Sequence, residues 1–452
     1  MDPEDVEKLL SKAKEPGRLA MGYHPFYRGK ISITAKAPIK TLDDFSIWYT
    51  PGVAEPCKAI KEDEDRVYEY TNKGNFVAVV SDGTRVLGLG DIGPRAGMPV
   101  MEGKSMIFKY LGGVDAFPIC LDTKKEEEII TAVKWLSPSF GGINLEDIEK
   151  PKCYSILERL RNELDIPVWH DDQQGTALVT LAGLLGALKV VGKKIGDVTI
   201  AFIGAGAANA NNSKYSIKAG ADPKKMIMVD SKGILNQNRE DLKDDPVKWD
   251  MCINRNGEQR EGGIEEALEG VDVCIALSRS GPGVIKKEWV SAMASGSIVF
   301  ACANPVPEIW PWEAEEAGAR IISTGRSDFP NQVNNSLGFP AVFRGALDVF
   351  SRGISDEMCI SGAMAIADYA ERTGLSEKRI IPSMEEGEMY IEEAMAVGLK
   401  SMEQGLARLK LSEEELRDRI EHTITEAQRG VKLLMDAGII AEYKDKRKIK
   451  GE

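Results

Sequence analysis

The sequence predicts an α/β fold in two units, an N-terminal α/β domain and a doubly wound domain, followed by a helical C-terminal segment. Three observations carry this. The chain has 452 residues, 43% of them hydrophobic, more than one core usually organises, so two domains are the default. From Thr176 on, apolar helical stretches alternate with short strand patterns, the βαβ rhythm of a parallel sheet. After Asp348 the pattern turns helical, with apolar stripes among many Glu, Lys and Arg residues.

Taken in order, the first element is a strand at Phe76 to Val80 (FVAVV), followed by a Gly- and Pro-rich stretch from Leu87 to Gly103 that reads as a functional loop. A helix is predicted from Pro151 to Leu164, because Ile156, Leu157, Leu160 and Leu164 recur at helical spacing. A second apolar helix starts at Thr176. Strands are then predicted at Val198 to Ile203, Met226 to Asp230, Val271 to Leu277, Ser297 to Ala301 and Ala319 to Ser323. Two long helical patterns, Gly387 to Lys410 and Ser412 to Gly438, fill the tail, and the basic end KDKRKIK reads as a solvated terminus. The expected division is residues 1–170, 171–335 and 336–452.

A net charge of -13 repels nucleic acid and anionic membranes, so neither is an expected partner. Seven cysteines without a CxxC pair read as reduced thiols rather than a disulfide frame or zinc cluster. The start MDPEDVEKLL lacks the features of a signal peptide, and no apolar run reads as long enough to span a bilayer. The expectation is a cytoplasmic protein.

Gly204, Gly206 and Asn209 occupy the three glycine positions of a GxGxxG-type turn between the strand VTIAFI and a helix, with Ala207 and Ala208 completing the FIGAGAA turn. Such a turn lets the backbone approach a pyrophosphate at a helix N-terminus, and an acid ending the next strand binds the ribose hydroxyls. Asp230 stands at that strand end. This predicts a Rossmann-like dinucleotide-binding domain. Asp230 favours NAD, while Ser231 and Lys232 beside it could meet the 2′-phosphate of NADP. Asn209 departs from the pattern, since the third position is ordinarily small to let helix and strand pack closely. A second match at Gly88, Gly90 and Gly93 is set aside, because Pro94 follows at once and no helical run is read after it.

Glu146 and Asp147 in GGINLEDI, with Asp171 and Asp172 in PVWHDDQQGTA, give four acids in two clusters with apolar and Gly-rich flanks. Carboxylates converging from separate segments suit a hard cation that keeps positions open for substrate oxygens, so Mg2+ or Mn2+ is expected.

The ordered motifs YTPGVAEPC, SDGTRVLGLGDIGPRAGMPVMEGK, GGINLEDI, PVWHDDQQGTA, FIGAGAA, ANPVPEI and GRSDFPNQVNNSLGFPAVFRGALD closely resemble the malic enzymes of the short bacterial and archaeal type. The resemblance implies an N-terminal substrate and metal domain and an NAD(P)-dependent oxidation and decarboxylation of L-malate to pyruvate. It implies Tyr49 as general acid, Lys104 as general base, Glu146, Asp147 and Asp172 as metal ligands, and Asp171 as the acid that orients the lysine. Arg85 is similar to the arginine that grips a malate carboxylate. Asn304, Asn334 and Asn335 match positions contacting substrate or nicotinamide, Asn304 being counted with the cofactor as well. A homodimer or higher homo-oligomer is also implied. Outside their motifs, Tyr49 reads as a buried hydroxyl, Lys104 as a surface cation, Arg85 as a salt-bridge partner and the asparagines as turn residues.

In that chemistry Lys104 takes the hydroxyl proton only when neutral. A free lysine titrates at about 10.4, so working at about pH 8 asks for roughly 3 kcal/mol of differential stabilisation. The metal takes up charge as carbon dioxide leaves, and Tyr49 protonates C3. Two alternatives remain open: a malolactic relative that returns the hydride to make lactate, and a nucleotide-binding relative with weak turnover.

Overall fold

A computed structural model describes residues 3–444, with side chains described from residue 15 onward. The basic end of the chain lies outside the described residues from Asp445 onward. Two sheets organise the chain. The first contains β1 (Phe76–Ser81), β2 (Asp115–Cys120), β3 (Gly142–Leu145) and β4 (Val168–His170) in the order β2-β1-β3-β4, all parallel. The second contains β5 (Ile200–Ile203), β6 (Met226–Asp230), β7 (Gly233–Ile234), β8 (Val273–Ala276), β9 (Ile298–Ala301) and β10 (Ile321–Thr324) in the order β10-β9-β8-β5-β6-β7. Only β7 runs antiparallel to its neighbour in that sheet. The chain reverses its winding between β5 and β8, and the crevice beyond their C-terminal ends is where open α/β sheets bind ligands.

Both faces of each sheet are covered, which is why the strands read as unbroken apolar runs. Along β1, Val77 and Val79 join the core shared with the second sheet, while Ala78 and Val80 face a smaller core with Ile143, Ile156 and Leu160. In β5, Phe202 joins the shared core, and Ala201 and Ile203 pack into a third core with Val229 and Ala276.

The predicted strands and the helix after Pro151 form, each within a few residues of the expected bounds. Three expectations are corrected. A helix does follow Pro94: it spans Gly93–Gly112, with Pro94 in its first turn, where a missing N–H costs nothing. The segment Asp171–Val191 is, by length and composition, apolar enough to cross a bilayer, but 72% of its most apolar stretch is buried in the protein, against the helices Ala207–Lys218 and Asp356–Thr373. The first tail helix, Gly387–Glu403, stops short of Lys410 because the chain turns left-handed at Gly405 (φ 71°). The second, Glu413–Asp436, begins at a Ser412 cap. The seven cysteines are free thiols, five of them buried.

The helix Phe339–Asp348 is fastened to the first sheet by Arg344, whose buried ion pair within the helix holds it toward Asn75. Arg344 donates to both oxygens of Asp348 (2.8 and 2.7 Å) and to Asn75 Oδ1 (2.6 Å) at the head of β1. Arg344→Ala leaves the buried Asp348 carboxylate only its 3.2 Å contact with Arg419 Nε, and urea denaturation of this variant should show a loss of about 3 kcal/mol.

Glu393 lies fully buried in the helix Gly387–Glu403, and neither carboxylate oxygen has a hydrogen-bond partner among the described residues. Burial holds its pKa well above the usual range, and the buried Tyr390 hydroxyl is its titratable neighbour. A raised folded pKa gives stability that is complete below the unfolded value and lost as pH rises toward the folded one. Melts of Glu393→Gln should therefore match the parent at about pH 4. They should exceed it increasingly above that, by up to about 1.4 kcal/mol per pH unit until the folded pKa is reached.

Candidate active site

The C-terminal ends of β3 and β4 lie side by side, so the residues following them converge. Glu146 and Asp147 follow β3; Asp171 and Asp172 open a π-helical turn, Asp171–Gly175, after β4. Carboxylate oxygens of Glu146, Asp147 and Asp172 lie within 4.8 Å of one another. Asp147 adopts a left-handed backbone (φ 53°), its N–H donates to Asp172 Oδ2 (3.0 Å), and its own Oδ2 is buried without a partner among the described residues. Burial and then the Asp172 charge push Asp147 up to about 7, while burial raises Glu146 well above the usual carboxylate range despite Lys104. A trio of hard oxygen donors that repel one another fits a divalent cation.

Lys104 comes from the helix Gly93–Gly112. Its ammonium sits between Glu146 Oε1 (2.7 Å) and Asp171 Oδ2, over the Phe339 ring at 4.5 Å. It is a buried ion-pair partner, not a surface cation. Burial works to lower its pKa, but Asp171 and Glu146 together outweigh burial and hold it above its ordinary value. Asp171 is itself gripped by Trp169 Nε1 (3.2 Å) and Asn335 Nδ2 (2.9 Å). A Cβ at Gly175 would come 2.1 Å from Asp171 Oδ1, so the glycine of DDQQGTA is a matter of space.

The remaining predicted residues divide. The Arg85 N–H donates to the Asp147 carbonyl (3.0 Å), which places the exposed arginine at the rim of the acid cluster. Asn335 joins the site through Asp171, whereas Asn334 Oδ1 caps the next turn by accepting from Ser336 N (3.0 Å) and Oγ (2.8 Å). Asn304 is exposed, and Gly88 lies against its carbonyl, so the GLGDIG loop packs on the second sheet's ANP loop. Tyr49 is not brought to this cluster: it is 70% exposed, and its hydroxyl makes no hydrogen bond among the described residues.

At the second sheet, Gly204 N donates to Val229 O (2.8 Å), and Gly204 turns with φ 101°, where a side chain would meet the Leu277 carbonyl at 2.6 Å. Gly206 caps the helix carrying Ala207 and Ala208, whose first N–H groups face the crevice end of β5. That turn and helix N-terminus fit a pyrophosphate. Asn209 is no defect. Fully buried, its amide donates to Gly204 O (2.8 Å) and Ile203 O (3.1 Å), and its Oδ1 accepts from Asn212 (3.0 Å), so it clasps the turn it appeared to loosen. Sequence reasoning missed Asn144, which donates to Glu146 Oε2 (2.9 Å), and the glutamate of ANPVPEI. Glu308 accepts from Ser278 N (2.8 Å) and Ala303 N (3.0 Å), tying together the loops after β8 and β9. The signal for both was a polar residue inside an apolar run.

Residues 28–128 match the family model described as "Malic enzyme, N-terminal domain", and residues 173–402 match "Malic enzyme, NAD binding domain". The chain belongs to the malic enzyme family. It is 46% identical over 400 residues to the "Bifunctional malic/malolactic enzyme" of Bacillus subtilis, covering 88% of this chain and 96% of that one. It is 50% identical over 380 residues to the "NAD-dependent malic enzyme" of Geobacillus stearothermophilus, covering 84% and 78%. The crystal structure of the Entamoeba histolytica malic enzyme superposes with a TM-score of 0.94 at 47% identity, over 97% of this chain and 92% of that one.

Asn209→Gly, which installs the third glycine of a GxGxxG turn, should lower the melting temperature. It removes a buried amide from three carbonyls, those of Ile203, Gly204 and Ile275, a loss of about 1–3 kcal/mol, and calorimetry would detect it.

Proposed function

We infer that the chain oxidises L-malate and decarboxylates the product to pyruvate and carbon dioxide, reducing NAD or NADP, with its acid cluster holding Mg2+ or Mn2+. The observation that carries this reading is the convergence of Lys104 with the Glu146, Asp147 and Asp172 trio beside a dinucleotide turn. Residues 1–170 would supply the substrate and metal groups, residues 171–335 the cofactor groups, and residues 336–452 the packing behind them. A cytoplasmic location suits the free thiols.

Arg85, at the rim, binds a malate carboxylate. Lys104 takes the C2 hydroxyl proton; its two carboxylate partners oppose the loss of its own proton, and commitment of Glu146 to a cation removes one of them. Asp171, fixed by Trp169 and Asn335, keeps the lysine aimed. Asn304 and Asn335 contact substrate or nicotinamide. Asn334, its Oδ1 occupied by Ser336, keeps only its amide for that role. Glu146, Asp147 and Asp172 would hold the cation, which would supply Lewis acidity at the C2 oxygen, and the Gly204 turn would hold the dinucleotide that would supply the hydride acceptor.

Tyr49 protonates C3 of the enol, and it does so in a neighbour's site. Its segment exposes Phe45, Ile47, Trp48 and Val53 together with Tyr49 itself, an apolar face that a second copy would cover. The partner that covers this face receives the tyrosine.

With Mn2+ and L-malate, absorbance at 340 nm should rise in step with pyruvate, and chelation or Asp172→Asn should abolish both signals. Lactate without net reduced cofactor would instead support the malolactic alternative, and folded protein with no turnover the nucleotide-binding one. Tyr49→Phe and Lys104→Ala should each be nearly inactive, yet mixed dimers of the two should regain about a quarter of the parent activity, since half the dimers carry one intact site. No recovery on mixing would place Tyr49 in its own subunit's site.

A further inference from the structure

On the edge of the second sheet opposite the crevice, the turn leading into β6 and the helices Ala207–Lys218 and Pro246–Asn254 enclose a groove of about 730 Å³. That size suits a small organic ligand. Ile217, Ile253 and Pro223 form an apolar wall, and Arg255, Lys224 and Gln237 stand along the rest of the lining.

Arg255 has left water without gaining a carboxylate. Its side chain is 12% exposed, and its Nε donates to the buried Ser213 Oγ (3.1 Å). The nearest acid, Asp250, holds Oδ2 at 3.7 Å from Nη1, too far for a hydrogen bond. The four Nη hydrogens therefore have no acceptor among the described residues, although Arg255 directly follows a helix end whose carbonyls a cation commonly caps. Burial pulls its pKa below the ordinary value, and Asp250 opposes that only in part. A guanidinium enclosed in this way lacks the bidentate partner that offsets desolvation.

The neighbouring donors are open as well. Lys224 engages Asp222 Oδ1 through its backbone N–H alone (2.9 Å), and its ammonium has no partner among the described residues. Gln237 likewise donates to Gln259 Oε1 from its backbone (3.0 Å). The flanking charges are matched to one another: Asp356 holds Lys214 (2.5 Å), Glu357 holds Lys218 (2.5 Å) and Glu258 holds Arg260 (2.8 Å). With Asp222 and Asp250 set against Lys224 and Arg255, charge is close to balance, and what the groove has in excess is unfilled donors. A phosphate has oxygens enough to meet both Nη groups and an ammonium together, where a carboxylate has two.

We propose that this groove binds a phosphate ester of about mononucleotide size, the phosphate taken by Arg255 and Lys224 and the apolar body laid on Ile217 and Ile253. The site stands apart from the malate chemistry, and neither reading depends on the other. Ser213 and Lys214 belong to the helix whose first turn borders the dinucleotide crevice, so an occupant bears on the far end of that helix.

The test is titration calorimetry of the full chain with AMP as the probe, adenosine and inorganic phosphate run beside it, and saturating NADH or NADPH added to fill the crevice. AMP should bind with a Kd below about 1 mM, and each part-molecule at least about tenfold more weakly. Lys224→Met, at an exposed position, should melt like the parent and weaken AMP about tenfold, the effect of one charge-assisted contact. Arg255→Met should weaken AMP at least as much; if that variant unfolds, Lys224→Met decides. AMP affinity unchanged in Lys224→Met, or no binding of AMP by the parent protein, overturns the proposal. So does adenosine or inorganic phosphate binding as tightly as AMP, since the groove would then not be reading both ends of an ester.

Discussion

Four carboxylates at the ends of two neighbouring strands repel one another inside the protein, and much of the surrounding structure answers that repulsion. Glu146, Asp147, Asp171 and Asp172 are placed together by the parallel pairing of β3 with β4. Parallel strands deliver their C-terminal residues to one edge of a sheet, so the concentration of charge follows from topology. Lys104 enters from the helix beside them and bridges Glu146 to Asp171, joining the acids of the two strands. Trp169 and Asn335 then fix Asp171 from opposite sides in the sequence, one from the first sheet and one from beyond the second. Asp171, the ion-pair partner of the lysine, is thus held by both halves of the molecule.

The second sheet solves a different problem with the same economy of buried polar groups. A dinucleotide crevice needs two loops, those after β5 and β8, to hold shape with little regular structure. Asn209 and Glu308 do this from beneath: one amide brackets the Gly204 turn, and one carboxylate gathers N–H groups from the loops after β8 and β9. Backbone groups that would otherwise be buried without partners are thereby satisfied. At the end of β6, Asp230 is held by cations, accepting from Arg239 and Lys248.

The βαβ order, both long tail helices and the two acid clusters were legible because each rests on local periodicity or on adjacent residues. Phe339 beneath Lys104, Asn335 against Asp171 and Asn144 against Glu146 were either hidden or assigned only by resemblance, because long-range contacts leave no periodic trace. The helix after Pro94 was missed for a local reason: proline was read as a breaker, although in a first turn its fixed φ favours the helix. Asn209 was misread as a departure from a glycine pattern, since sequence cannot reveal that its amide points back at the turn. Tyr49 was legible as a motif residue, but its exposure belongs to the tertiary structure.

The site divides into a buried part and an exposed part, and the division follows from electrostatics. Groups that act on developing charge gain most in a low-dielectric setting, where a fixed field is strong and needs no reorganisation. Glu146, Asp147 and Asp171 are buried there, with the largely enclosed Lys104 ammonium over the Phe339 ring. Groups proposed to meet an incoming dicarboxylate or cofactor gain nothing from early desolvation, and Arg85 and Asn304 are exposed. Burying so many like charges raises the energy of the folded state, and sheets packed on both faces with the Arg344–Asp348 lock behind β1 offset it. Loosening that packing would relax the very crowding that suits the acid trio to a cation, so stability and chemistry are set by the same strands.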